Sequence, residues 1–193
     1  MKKVNILAHT VFIGETGYNN HSRSFFTALN KFCNVKVRNF TVGKSWKNYT
    51  KTEHNKEFYI TDEHKTMLIE QTLLDWDNDK SRSDYPLYNY TDKFKADIHI
   101  ILSEVNHHYF YDSYDGYKIA YTVWESTKYP ANFFNKLLEY DELWVPTEWQ
   151  RNCSINQGYP PEKVKVVNEA VDIEIFKPEK KRKSDKFKFL LFG

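Results

Sequence analysis

An indole and a carboxylate, those of Trp124 and Glu125, directly follow a predicted strand over residues 117–123. An indole can stack on the apolar face of a ligand such as a sugar ring, and a carboxylate can accept hydrogen bonds from its hydroxyl groups. Ligands bind at the carboxyl ends of the strands in parallel sheets, which favours a binding role for both. The alternative is structural, because Glu125 could cap the following turn or pair with Lys128.

The loop over residues 9–20, after the first predicted strand, holds a second group of candidates. Glycines let the backbone approach a ligand, and the following helix offers free N–H groups to an anion. A dinucleotide site would need the spacing G-x-G-x-x-G and an acid ending the second strand, and both are missing. A loop that only closes the strand–helix connection is the alternative. His21 and Arg23 are expected to be exposed, although Arg23 could reach a phosphate. The candidates are Gly14, Glu15, Thr16, Gly17, Tyr18 and Asn19.

Two adjacent histidines, His107 and His108, lie in the loop over residues 103–116. Adjacent side chains usually point apart, so we expect at most one ring to face the carboxyl edge of the sheet, and a solvated ring is the alternative. The pair does not predict a zinc site, because no third ligand occurs at a suitable spacing. Farther along, Thr147 is expected to cap a helix whose N-terminus would face the same edge.

The elements that position these residues alternate between strand and helix along the chain. Short apolar runs predict strands, and apolar residues three or four positions apart predict the buried faces of helices. The residues expected on such buried faces are Phe25, Leu29 and Phe32 in one helix and Phe134, Leu137 and Leu138 in another. Ile69, Leu73 and Trp76 have helical spacing within residues 41–90, where we expect one or two helices. The pattern predicts an α/β fold with a doubly wound, mostly parallel sheet. Predicted strands cover residues 4–8, 34–40, 97–102, 117–123, 142–145 and 163–167, and predicted helices cover 22–32, 131–140 and 148–157.

Composition excludes several classes of protein. The chain has 193 residues and a net charge of +2, with acids and bases interspersed, so it does not predict a nucleic-acid or membrane-surface partner. Its 2 cysteines have no metal spacing and favour a reduced compartment over a disulfide framework. We expect no leader peptide before the first strand, and no apolar run approaches the roughly 20 residues that span a bilayer. We therefore expect a cytoplasmic protein without an integral membrane segment.

Residues 119–176 show a series of motifs in a characteristic order. A buried strand ends in Y-T-V-W-E-S-T-K-Y-P, a second reads D-E-L-W-V-P-T-E-W, and a third ends in V-V-N-E-A-V-D-I-E-I-F. This series resembles the second half of the N-terminal domain of GT-B glycosyltransferases, in the retaining group called glycosyltransferase family 4. Two positions depart from the family pattern, because Asn19 replaces a small residue and Ala170 replaces a glycine.

The resemblance implies a Rossmann-like, acceptor-side domain over residues 1–180, with residues 181–193 as a linker and the first strand of a C-terminal donor domain. It implies retaining transfer of a sugar from a nucleotide-sugar to a hydroxyl acceptor, without metal or further cofactor. Glu125 and His107 are then the candidate catalytic residues. The implied substrate-binding residues are Gly14, Glu15, Thr16, Gly17, Tyr18, Asn19, Trp124, Thr147 and Glu169.

Three interpretations of the chain remain, because the implied donor domain is not in this sequence. The chain is a piece of a complete enzyme, inactive alone; or it is a natural half that assembles with a separate donor-domain chain; or it is a non-catalytic module that binds a glycan or a partner. The sequence does not name the sugar, the nucleotide, the acceptor or the oligomeric state. We expect acceptor choice to depend largely on residues 41–90.

Overall fold

The computed structural model describes residues 3–14, 16–39, 60–69, 94–105, 115–171, 173, 176–178, 186, 187 and 189. Strands and helices alternate along these segments. The strands are β1 (Asn5–Thr10), β2 (Asn34–Asn39), β3 (Ile98–Leu102), β4 (Tyr117–Tyr121), β5 (Glu142–Val145) and β6 (Val164–Val166). The helices are α1 (Gly17–Asn30), α2 (Asp62–Met67), α3 (Ala131–Leu137) and α4 (Glu148–Asn156), and a 3-10 turn at Pro161–Lys163 precedes β6.

The six strands form one sheet in the order β2-β1-β3-β4-β5-β6, and every neighbouring pair is parallel. The predicted doubly wound α/β fold is therefore confirmed. An isolated parallel bridge between Val37 and Leu68 extends the pairing beyond β2. The winding reverses between β1 and β3, and this pair defines the topological switch point at which open parallel sheets bind ligands.

Each face of the sheet carries its own apolar core, because successive residues of a strand point to opposite faces. Phe26 of α1 and Met67 of α2 belong to the core on one face. Leu137 of α3 and the nearby Tyr159 belong to the core on the other face. Burying one large apolar side chain stabilises a fold by about 1.5–3 kcal/mol, so the helices packed on both faces stabilise the sheet.

The bounds of α1 differ from the prediction at both ends. The helix begins earlier, at Gly17, because Thr16 and Asn19 cap each other: the Thr16 hydroxyl accepts from the Asn19 N–H, and the Asn19 side chain accepts from the Thr16 N–H. It ends at Asn30, whose side-chain oxygen accepts a backbone N–H at the start of β2 at 3.0 Å. Phe32 therefore lies beyond the helix and is 77% exposed, so its predicted place on the buried face was wrong.

Three further predictions on helices can be compared with the structure. Ile69 is not helical, because its N–H donates to the Val37 carbonyl at 3.1 Å beside β2, while Leu73 and Trp76 lie outside the described residues. Leu138 follows the end of α3 and is 42% exposed, so its predicted burial was wrong. None of the helices in the described segments is both long and apolar enough to cross a bilayer.

Two buried histidines sit at the centre of the sheet, on the face that includes α3. His9 of β1 and His99 of β3 stack, and His9 Nε2 lies 3.3 Å from His99 Nδ1. His99 Nε2 contacts the Asp115 carbonyl at 2.9 Å. A carbonyl only accepts, so His99 carries its proton on Nε2 when neutral, and its Nδ1 then accepts from His9 Nε2–H. A second proton on His99 would place two N–H groups face to face.

This histidine pair predicts loss of stability in acid. Burial, then Arg38 of β2 and His99 itself, lower the pKa of His9 well below 6.5. Burial also lowers the pKa of His99, with Lys118 of β4 acting in the same direction and Asp115 opposing it. The folded protein then binds fewer protons than the unfolded chain below pH 6.5, so full stability is present above that pH and is lost as the pH falls. The slope is up to about 1.4 kcal/mol per pH unit for each histidine.

Urea unfolding at pH 7.5 and pH 5.5 measures this effect. We expect the wild-type chain to lose stability between the two values and a His9→Gln, His99→Gln double variant to lose much less, even if its stability at pH 7.5 is lower. Equal pH dependence in both chains would contradict the assignment of the effect to this pair.

Candidate functional site

A cleft of about 530 Å³ opens at the carboxyl edge of the sheet. Its lining comes from segments that follow different strands: the start of α1 after β1, the turn after β3, the loop after β4 and the segment after β6. These segments meet beside the switch point between β1 and β3, although they are far apart in the chain. The lining residues are Gly17, Tyr18, Glu104, Val123, Trp124, Glu125, Ser126 and Glu169.

The structure brings five of the predicted site residues together in this cleft. They come from α1 and from the segments after β4 and β6, and four others do not line it. Glu15 and His107 lie outside the described residues. The five in the cleft are Gly17, Tyr18, Trp124, Glu125 and Glu169, and the four outside its lining are Gly14, Thr16, Asn19 and Thr147.

Those four residues have structural positions. Asn19 is 2% exposed, and its side chain bonds the loop rather than the cleft. Gly14 is a buried residue of the same loop, and Thr16 caps α1. Thr147 is exposed, and its hydroxyl accepts from the Gln150 N–H at 3.2 Å, which confirms its predicted role as the cap of α4. Of the candidates after β1, only Gly17 and Tyr18 among the described residues line the cleft and are placed to contact a ligand there.

Arg23 of α1 holds the loop after β1 in place. The side chain is buried, and Nη1 donates to the carbonyls of Phe12 and Gly14 at 2.7 and 2.8 Å. Nη2 donates to the side-chain oxygen of Asn20. The prediction that Arg23 is exposed was therefore wrong, because the loop folds back over the helix and supplies its hydrogen-bond acceptors.

Two asparagines complete the support of this loop. Asn39 at the end of β2 accepts from the N–H groups of Phe12 and Ile13 at 2.7 and 2.9 Å. Asn19 donates to the Ile13 carbonyl at 3.1 Å. Gly14 has a φ of +139°, and a Cβ there would lie 2.9 Å from Asn19 Oδ1. The close approach of Asn19 is therefore possible only because residue 14 is glycine.

The wall of the cleft formed by Trp124 and Glu125 is fastened to α4 by Gln150. This glutamine is 2% exposed. Its Oε1 accepts from the Trp124 N–H at 3.2 Å, and its Nε2 donates to the Thr122 carbonyl at 3.1 Å and to the Tyr129 hydroxyl at 2.8 Å. One side chain thus satisfies backbone groups on both sides of Val123, so the wall has a fixed position relative to α4.

The rest of the loop after β4 is held by aromatic contacts and a second glutamine. The Trp124 ring stacks on Tyr129 at 5.4 Å and meets Phe133 edge-on at 5.8 Å. Its Nε1–H donates to the Lys128 carbonyl at 2.9 Å. Gln157, which follows α4, exchanges two hydrogen bonds of 2.8 Å with the Tyr129 backbone. The indole is half-buried, so one part of it packs on the protein while the rest lines the cleft.

The segment after β6 crosses the carboxyl edge and brings Glu169 to α1. The Tyr121 hydroxyl donates to the Val167 carbonyl at 2.7 Å, and the Asn168 amide donates to the Pro146 carbonyl at 2.8 Å. At the end of this crossing, Glu169 Oε1 lies 3.1 Å from Nδ1 of His21. The predicted exposure of His21 was wrong as well, since 13% of its side-chain surface is accessible.

Charge in the cleft is negative. Burial raises the pKa of Tyr18, and the carboxylates of Glu104, Glu169 and Glu125 raise it further, while a backbone hydrogen bond with Val123 acts in the opposite direction. The phenol is therefore neutral and lies within the field of all three carboxylates. Burial lowers the pKa of His21, and Glu169 opposes part of that change. At neutral pH the His21 ring is therefore neutral and lies in contact with the Glu169 carboxylate.

Sequence reasoning missed Glu104, Arg23 and Gln150 as parts of the site. Glu104 carries a usable signal, because it is the second residue after β3 and lies in a segment that had been singled out. Gln150 has the signal of a polar residue on the buried side of a short helix, four positions before the buried Ser154. In the described part of the chain, no group of three or more His, Cys, Asp or Glu side chains is arranged to hold a metal ion.

Comparison of the chain with protein-family models, with curated proteins and with solved structures yields no match. The cleft itself and the sequence motifs that lead into it are therefore the basis for the functional proposal.

Proposed function

We propose that this chain is the acceptor-side domain of a GT-B glycosyltransferase, which moves a sugar from a nucleotide-sugar to a hydroxyl acceptor. The observation that carries the proposal is the cleft at the switch point, where the half-buried Trp124 indole and the exposed Glu125 carboxylate lie side by side. An aromatic face beside hydrogen-bond acceptors suits a ligand with apolar ring faces and hydroxyl edges. The resemblance of residues 119–176 to the family supports the same function.

In the proposed reaction, the acceptor oxygen forms a bond to the anomeric carbon of the donor. The bond between that carbon and the diphosphate breaks, the nucleoside diphosphate leaves with the electron pair, and the acceptor proton is released. The contribution of this chain is positioning, since a ligand stacked on Trp124 can direct hydroxyl groups to Glu125 and Glu169. The donor diphosphate and the base that takes the proton are not assigned to residues of this chain.

Calorimetric titration of the chain with monosaccharides tests the proposed cleft. We expect measurable sugar binding that is weakened about tenfold by Trp124→Leu, because the stacking surface is lost while apolar packing on Tyr129 and Phe133 is retained. Glu125→Gln keeps the shape of the wall but removes its charge, and it should also weaken binding. Nucleoside diphosphates should bind poorly, because the lining contributed by the described part of the chain contains carboxylates and neither lysine nor arginine.

Trp149→Leu is the matched control. This second tryptophan lies on α4, is 51% exposed and does not line the cleft, so its loss should leave sugar binding unchanged. Sugar binding that survives Trp124→Leu and Glu125→Gln intact would contradict the proposed site. Tight binding of a nucleoside diphosphate would contradict the assignment of this chain to the acceptor side.

A non-catalytic binding module with the same fold is the second candidate. The same cleft favours it, because sugar recognition by Trp124 and Glu125 does not require a donor. Glycosyl transfer by the chain together with a donor domain would distinguish the two, since a binding module would hold the sugar without product formation.

A further inference from the structure

The cleft is lined by carboxylates that come from three different segments. Glu104 follows β3, Glu125 follows β4 and Glu169 lies in the segment after β6, and none of the described residues that line the cleft is a lysine or an arginine. All three carboxylates act on the Tyr18 hydroxyl, so their fields overlap in one volume. Like charges held around one cavity repel an anionic ligand and attract a cationic one.

The guanidinium of Arg23 on α1 is bound by the loop after β1. Arg23 donates to the carbonyls of Phe12 and Gly14 and to Asn20, so its guanidinium serves the loop. The first turn of α1 is closed by its own cap, because the Thr16 hydroxyl accepts from the Asn19 N–H at 3.3 Å. Of the features that ordinarily receive a phosphate after a first strand, the guanidinium is thus taken up by the loop, and the Asn19 N–H is taken up by the cap.

The aromatic side chains of the cleft favour a cation as well. Trp124 and Tyr18 line the same volume as the three carboxylates, and the electron-rich face of an aromatic ring attracts an ammonium group within about 6 Å. Indole is the strongest of these rings. Since the acids do not form a metal-binding group in the described residues, the arrangement fits an organic cation.

We propose that the cleft selects an acceptor that carries a protonated amine beside its hydroxyl groups, as amino sugars do, and that it excludes phosphorylated sugars. This inference rests on the proposed function, since it names the class of acceptor that the same cleft takes. A protonated amine near Glu125 or Glu169 is attracted by each carboxylate, and the attraction is stronger in a partly enclosed cleft than in open water.

Titration with sugars that differ in charge tests the inference on the full chain. The probes are glucose, glucosamine and glucose 6-phosphate, with galactose and galactosamine as a second pair, at pH 6.5 and low salt. We expect each amino sugar to bind about tenfold more tightly than its neutral parent and the phosphorylated sugar to bind more weakly than glucose. The advantage of the amine should shrink severalfold in about 0.5 M salt, because ions screen the partly exposed carboxylates.

Variants of single carboxylates show which residues cause the preference for the amino sugar. Glu125→Gln and Glu169→Gln should each reduce the preference for the amino sugar severalfold and change glucose binding less. Glu162→Gln is the matched control, because Glu162 is exposed on the 3-10 turn before β6 and does not line the cleft. It should leave the preference unchanged.

The outcomes separate this inference from the proposed function. Equal affinity for neutral and amino sugars, or tighter binding of glucose 6-phosphate, would overturn the preference for a cation and leave a sugar-binding cleft in place. Absence of binding for all five sugars would count against the proposed function itself and against the inference with it.

Discussion

Substituting Arg23 with leucine is expected to lower the free energy of unfolding by about 3 kcal/mol and to disorder the loop that precedes α1. The substitution leaves the carbonyls of Phe12 and Gly14 without their donor, and a buried unsatisfied carbonyl costs about 1–3 kcal/mol. Because Tyr18 follows this loop directly, sugar affinity should fall together with stability. Urea unfolding and a sugar titration on the same sample measure both quantities.

Lysine at this position should not restore the wild-type value, because one ammonium group does not reproduce the planar fork that reaches Phe12, Gly14 and Asn20 together. Arg151→Leu provides the control, since Arg151 on α4 is half-exposed and its contacts are long, at 3.8 Å to Glu148 and 3.4 Å to the Val164 carbonyl. A surface pair of this kind contributes about 1 kcal/mol or less. Equal losses for Arg23→Leu and Arg151→Leu would show that the loop does not depend on the buried guanidinium.

Gln150→Leu is expected to cost about 2–4 kcal/mol of stability and to release the wall of the cleft. The variant keeps the volume of the side chain but removes its bonds to Trp124, Thr122 and Tyr129. The Thr122 carbonyl and the Trp124 N–H are then left without this partner in a poorly solvated place. Hydrogen exchange at the Trp124 amide should accelerate more than exchange at amides in β1.

Asn152→Leu is the matched control for this variant, because Asn152 is exposed on the same helix. Its effect should be within about 0.5 kcal/mol, as is usual for surface positions. If Gln150→Leu were equally mild, or if Trp124 exchange were unchanged, the glutamine would not be what fixes the position of the wall.

The alternation of strands and helices could be predicted from the sequence because each element carries its own signal. The strand over residues 142–145 matches its prediction, since Asp141 and Pro146 bound a short apolar run. The ligand edge also followed from the fold class, so Trp124, Glu125 and Glu169 were correctly singled out as residues at that edge. At these positions the local apolar pattern and the topology of a parallel sheet were sufficient for the prediction.

The hydrogen bonds that hold the loops of the cleft in place could not be predicted, because they join residues that are far apart in the sequence. Gln150 bonds to Thr122 across 28 positions, and Asn39 bonds to Phe12 across 27 positions. A periodic apolar pattern contains no information about such pairs. The misjudged burial of Phe32 has a similar origin, since α1 ends at Asn30, whose side-chain oxygen accepts from the Val35 N–H of β2, and Phe32 lies beyond the helix.

Residue-by-residue amide NMR during a titration with glucosamine shows which edge of the sheet holds the sugar. We expect chemical-shift changes clustered at the carboxyl edge, at Gly17, Glu104, Val123 and Glu169. A hollow of about 450 Å³ at the opposite edge serves as an internal comparison. Changes confined to that hollow, which is lined by Lys3, Asn5, Asn30, Cys33 and Asn34, would place the sugar at the wrong edge and rule out the proposed binding cleft.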